Sequence, residues 1–483
     1  MKDQTREAIL YVIKCTICLS VIWGFGYLPP FPGLQPLGMK VLGIFLGMLF
    51  GWLTIGYVWP SIMGVLALGL SGYQSVNDVI TYGLGNASVT ALVLFLCMLA
   101  QYIEDVGLSN YISNWFISRK FTIGKPWLFT GMLFLCAYVL GAAVSLYASI
   151  LLMWGIFYTI CEKVGYQRYD KYPILGIIGI AYSALLGFVI FPYKPMHLIT
   201  LGSIQALSGL VVGFAEFAAL AFVMSVLGLG SYLAICKFII RPDTSLLRGS
   251  GDLFSHLRNQ KMNREQKTGI AFLAVFFFAM FAPSVFPSES FIGSFFSRLG
   301  MTGSLLLVLA VMAMVKIDGK PVFNIMQAAK GVKWEMIILF MGTMPVASAM
   351  SSSETGVMDF IVTLISPIFE GMSPFAFTIT FLLFAAILVQ FVNNVVVAAV
   401  FPAIIYSFCI SFDANVFVVI SLFTFIVTVA FATPGGGSIP AMVYSNKDWI
   451  DSVSAMKYCT LVTVINILLV LVVGIGLGQI IFS

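Results

Sequence analysis

Nine stretches of this chain stay apolar for most of a bilayer's thickness, and four more do so with an interruption near the middle. A helix needs ~20 apolar residues to cross the hydrocarbon core. The uninterrupted runs are about 8–28, 38–54, 57–72, 87–104, 211–239, 268–286, 302–315, 334–350 and 454–481; the broken ones are 127–161, 173–210, 373–410 and 414–447. Charge is scarce between them. Asp, Glu, Lys and Arg make up 9% of the 483 residues, against roughly a quarter in a soluble domain. That is too little to wet the surface of a protein this large, so a soluble enzyme, a nucleic-acid binder and a disordered scaffold are all excluded. The expected fold is an all-α polytopic membrane protein of about 11 spans. Partners are then the lipid bilayer and a small ligand, with no nucleic acid. Of the eight cysteines only Cys15 and Cys18 have CxxC spacing, inside an apolar run and with no second Cys or His pair to complete a metal site, so free thiols are expected. The N-terminal run follows MKDQTREAILYVIK with no small-residue cleavage site, and reads as the first span.

Orientation follows from Lys and Arg, which favour the cytoplasmic side. The loop 240–267 holds six of them, and the broken region 127–161 is flanked by Arg119, Lys120, Lys125, Lys163, Arg168 and Lys171. Both ends of that region therefore face the cytoplasm. The flanks of 373–410 read TLISPIFEGMSP and SFDAN, with no basic residue, so both of its ends face outward. A segment that begins and ends on one side is a re-entrant helical hairpin. Threading the rest places the N-terminus inside and the C-terminus outside a cytoplasmic membrane. Of the 25 basic residues, all but Lys40, Arg298 and Lys194 then fall on the cytoplasmic side.

The two halves match with opposite orientation. AQYIEDVGLSNYISNW parallels ASAMSSSETGVMDFIV, setting Gly107 opposite Gly356. The hairpin LFLCAYVLGAAVSLYASILLMWGIF parallels FLLFAAILVQFVNNVVVAAVFPAII, and the broken span GIAYSALLGFVIFPYKPMHLITLGS parallels the one beginning near Phe425, FIVTVAFATPGGGSIPAMVYSN. Inverted repeats with broken helices meeting near the midplane are a signature of secondary transporters. The expected organisation is scaffold spans in 1–86, a transport region in 87–210, scaffold spans in 211–333, a second transport region in 334–447 and a last span in 448–483.

Several residues could carry transport. Lys194, between Pro192 and Pro195, is the basic residue this threading leaves inside the membrane, and no Asp or Glu is placed at its depth. An ionisable group there faces a cavity or a partner, or snorkels to an interface. Thr433 and Pro434 precede Gly435, Gly436, Gly437 and Ser438 at the second break. Glycines there let N–H groups and the next helix's positive end converge on an oxyanion, or simply allow close helix packing. Asn393 and Asn394 at the second hairpin tip suit sodium or carboxylate, or cap the half-helices. Ser145, Tyr147 and Ser149 are their counterparts in the first hairpin. His197 either titrates beside Lys194 or is a satisfied core residue. No phosphate-binding loop, HExxH or GxSxG motif is present, so neither an ATP-driven pump nor an intramembrane hydrolase is expected, and the chain reads as no enzyme.

On GIAYSA (Gly179–Ala184), QFVNNVVVAAVFP (Gln390–Pro402) and ATP (Ala432–Pro434), the chain resembles the divalent anion/sodium symporter family of the ion-transporter superfamily, over nearly its whole length. The resemblance implies a homodimeric, elevator-type carrier of a small anion such as a dicarboxylate, held between two hairpin tips. It also implies sodium as the one cofactor. The family's Ser-Asn-Thr tips are replaced here by Ser145-Leu146-Tyr147 and Asn393-Asn394-Val395. Sodium is therefore expected at most once, at Asn394 and Thr433, with Lys194 standing in for the first ion. Alternatives are a sodium-independent exchanger, a proton-coupled carrier, or an anion channel or receptor on the same scaffold.

Overall fold

The computed structural model describes residues 2–85, 87–119, 124–249, 261–332, 334–369 and 371–482. Part of the basic loop, 250–260, lies outside the described residues, as does Lys120. Among the described residues, ten helices are long and apolar enough to cross a membrane, or eleven when the bent pair Thr90–Asp105 and Leu108–Phe116 counts as one span. The fold is all-α and polytopic, with a single short β-ladder, Lys316–Ile317 with Lys320–Pro321.

The four interrupted regions are interrupted where their sequences lose helical hydrogen bonding. Pro126–Ala143 and Leu146–Val164 form the first hairpin, joined by Val144 and Ser145. Pro374–Phe391 and Asn394–Ser411 form the second, joined by Val392 and Asn393. The first broken span is Lys171–Phe188 followed by Pro195–Ser208. Pro192 and Pro195 in FPYKP cannot donate to a helical ladder. The second is Val416–Thr428 followed by Ser438–Ser445, with Pro434 and three glycines between them. Gly107 and Gly356, paired by the repeat, both adopt left-handed backbone (φ 68° and 63°) and each opens a short helix, Leu108–Ile117 and Val357–Phe369. Only glycine takes that conformation without penalty.

In each repeat the first half of the broken span packs against both arms of its own hairpin. Small residues bring these elements together. A β-carbon on Gly141 would overlap the Ala184 carbonyl, and one on Gly187 would overlap the Tyr138 carbonyl. Among the described residues, Lys171–Phe188 is the most enclosed candidate span, whereas Arg6–Tyr27 lies at the periphery. The apolar run expected at 302–315 is longer in the structure. It belongs to Phe291–Met314, capped by Ser290 and kinked at Gly300 (φ 60°).

Candidate functional site

Four helices begin at the interruptions: at Leu146 and Asn394 in the hairpin tips, and at Pro195 and Ser438 after the breaks. The first-turn N–H groups of a helix have no acceptor within it, and its dipole makes that end positive. All four starts meet at one cavity of about 240 Å³, whose wall includes Ser145, Tyr147, Lys194, Asn394 and Ser438. The two repeats are joined across it by a hydrogen bond of 2.6 Å between the hydroxyls of Tyr147 and Ser438. Asn393 lines an adjoining cavity with Tyr57, Trp334 and Glu335. Its side-chain oxygen accepts from the Val395 N–H at 2.9 Å and so caps the hairpin's second arm.

Lys194 is 6% exposed. It occupies the N-cap of the helix that starts at Pro195, and its ammonium lies 5.2 Å from the ring centre of Phe188 and 5.4 Å from that of Tyr193. Aromatic faces hold a cation without neutralising it. Among the described residues, Lys194 forms no ion pair within 4.0 Å. One acidic residue, Glu104, lines the same cavity. Glu104 lies in the last turn of Ala87–Asp105, where an acidic residue ordinarily reaches water. The turn at Ala329–Gly331 packs against this helix, with Gly331 against Gln101.

The second break is held by a residue that sequence reasoning missed. Gln390 is buried one turn before the hairpin tip, and its side-chain oxygen accepts from the N–H groups of Phe431 (3.1 Å) and Ala432 (2.9 Å). Its amide donates to the Ala386 carbonyl at 2.8 Å. The Thr433 hydroxyl donates to the Gln390 carbonyl. Thr433, Pro434, Gly435 and Gly436 are not on the cavity wall. β-Carbons on Gly435 and Gly436 would come within 3.1 and 3.0 Å of the Phe391 and Val389 carbonyls, so these two glycines admit the hairpin's first arm. Gly437 similarly leaves room for the Asn394 amide. The available signal was a lone amide in an otherwise apolar run, FLLFAAILVQFV, beside a more conspicuous Asn pair.

His197 ties the two breaks together. Its Nδ1 lies 2.7 Å from the Phe191 carbonyl and its Nε2 lies 3.1 Å from the Thr428 hydroxyl. A carbonyl only accepts, which assigns a proton to Nδ1; the Thr428 hydroxyl also donates to the Thr424 carbonyl at 2.7 Å. One turn on, the hydroxyls of Thr200 and Thr424 are 2.7 Å apart. Both ring nitrogens thus have partners inside the protein.

No known family's sequence profile and no curated protein sequence matches the chain. By structure, it is similar to the YdaH transporter of Alcanivorax borkumensis, with a TM-score of 0.58 and 12% identity, over 84% of this chain and 90% of that one. It is also similar to MtrF of Neisseria gonorrhoeae, described as illuminating a class of antimetabolite efflux pumps, with a TM-score of 0.56 and 10% identity, over 96% of this chain and 97% of that one. These likenesses do not single out the divalent anion/sodium symporter family, whose resemblance rests on the hairpin and break motifs. The chain has the fold of a polytopic membrane transporter.

Proposed function

We propose that the protein is a secondary transporter of a small anion, bound between the hairpin tips in the cavity that holds Lys194. The observation that carries this reading is the convergence of four helix N-termini and one lysine ammonium on a single cavity. Such an arrangement offers N–H donors and positive potential from both repeats to one negative group. Membership of the divalent anion/sodium symporter family, homodimeric assembly through scaffold spans and elevator-type movement of the hairpins belong to the same proposal. A subunit interface that contained either hairpin tip would exclude that movement. In the proposed orientation the N-terminus lies in the cytoplasm and the C-terminus outside.

Purified protein in liposomes tests the carrier reading. Preloaded with an anion that the purified protein binds, they should accumulate the labelled anion by exchange. Flux that merely follows the electrochemical gradient, with no dependence on internal substrate, would make the protein a channel.

Sodium coupling is reduced in this reading. The first tip has Leu146 where the family has Asn, and Lys194 supplies a fixed positive charge on the same wall. One sodium ion remains assigned to the second hairpin, through Asn394 and Thr433. Asn394→Ala should therefore weaken sodium-dependent thermal stabilisation by about 1–2 kcal/mol, the scale of one hydrogen-bonding or coordinating group. Equal melting temperatures in sodium and potassium, in wild type and variant alike, would remove sodium and favour the exchanger.

A further inference from the structure

Two opposite charges share the cavity without meeting. Lys194 and Glu104 both stand on its wall, yet they lie more than 4.0 Å apart, the limit within which an ion pair would form. One carboxylate oxygen of Glu104, Oε1, is buried with no hydrogen-bond partner among the described residues. The neighbouring acid is occupied. Asp105 accepts from the Gln101 amide at 2.8 Å through one oxygen and from the Gln327 amide at 2.9 Å through the other. Among the described residues, Glu104 is the one acidic residue on the cavity wall. The wall follows one helix from Leu96 to Glu104, eight residues or about 12 Å at the α-helical rise. The lining also includes the apolar side chains of Leu99, Ile103, Phe188, Leu273 and Phe276.

Buried polar groups without partners are costly, charged ones most of all. A simple anion would satisfy Lys194 and leave Glu104 unpaired, and a dianion would bring a second negative charge toward it. We infer that the cavity's ligand is an amino-carboxylate: its carboxylate meets Lys194 and the helix starts, an apolar body fills the middle, and its ammonium meets Glu104. This inference rests on the anion-site reading above and names the substrate class for that site. Glu104 then acts as a specificity residue, admitting a positive group at one end of the ligand and rejecting a second negative one.

Calorimetry on the full-length protein in nanodiscs, with δ-aminovalerate, valerate and glutarate as probes of matched length, tests it. δ-Aminovalerate should bind about tenfold or more tightly than valerate. Glu104→Gln, which keeps the side chain's shape, should remove that preference and should improve glutarate binding. Glu104→Asp should keep a reduced preference. A ratio of one or less between δ-aminovalerate and valerate, including no saturable binding of either, overturns the inference. So does valerate binding that rises with sodium until it equals δ-aminovalerate, which would assign Glu104 to a metal ion. Loss of valerate binding in Lys194→Ala reports on the anion site alone, so the two readings fail separately.

Discussion

Replacing Lys194 by alanine is expected to lower anion affinity by about 30-fold or more while leaving the melting temperature unchanged. Truncating one partner of a desolvated charge pair costs about 2–5 kcal/mol, and 1.4 kcal/mol is tenfold in affinity. Fold stability should escape, because the ammonium lies against the rings of Phe188 and Tyr193 and forms no ion pair among the described residues. Removing a buried cation of that kind leaves no protein partner stranded. Lys194→Arg should also impair binding, since a planar fork of five donors cannot take the place of a compact ammonium between two rings. Binding and melting curves on the same preparations decide the matter. Wild-type affinity in Lys194→Ala would mean that the anion does not touch this residue.

Gln390→Leu is expected to have the opposite profile, with a large loss of stability and effects on binding that follow from it. The substitution preserves volume but leaves the Phe431 and Ala432 N–H groups without their acceptor in a buried setting. At about 1–3 kcal/mol for each stranded donor, the loss should be about 2–6 kcal/mol. The second break is the part expected to loosen. Amide exchange should speed up at 431–433 well before it does in Lys171–Phe188. Gln390→Glu tests the mechanism, because a carboxylate keeps the acceptor oxygen while losing the donor to the Ala386 carbonyl. If Gln390→Leu melts like wild type, the two N–H groups have other partners.

Most of the architecture could be read along the chain because it rests on rules that act locally. Pro192, Pro195 and Pro434 break helices wherever they stand, and the basic residues around 127–161 with their absence around 373–410 identify the hairpins without any knowledge of packing. Gly107 and Gly356 could be paired because a left-handed turn demands glycine in both halves. Much of the site was not legible in this way. Glu104 reads as an ordinary charge in a helix's last turn until it is seen on the same cavity wall as Lys194, 90 residues later in sequence. Gln390 reads as one polar residue in an apolar run until the N–H groups it serves, 41 and 42 residues away, are known. His197 offered two open readings, and its partners Phe191 and Thr428 are supplied by the two separate breaks. Long-range pairings of this kind follow from tertiary contact, which one-dimensional patterns do not encode.

The bridge through His197 and the Thr200–Thr424 contact has a mechanical consequence. It joins the second half of one broken helix to the first half of the other, at two successive buried levels. Pulling the crossing helices apart would strip an imidazole and several hydroxyls of their partners, which is costly for buried polar groups. The floor of the cavity is therefore a rivet rather than a hinge. In the proposed carrier these two helices would travel as a single block, and the sliding surfaces would lie outside them.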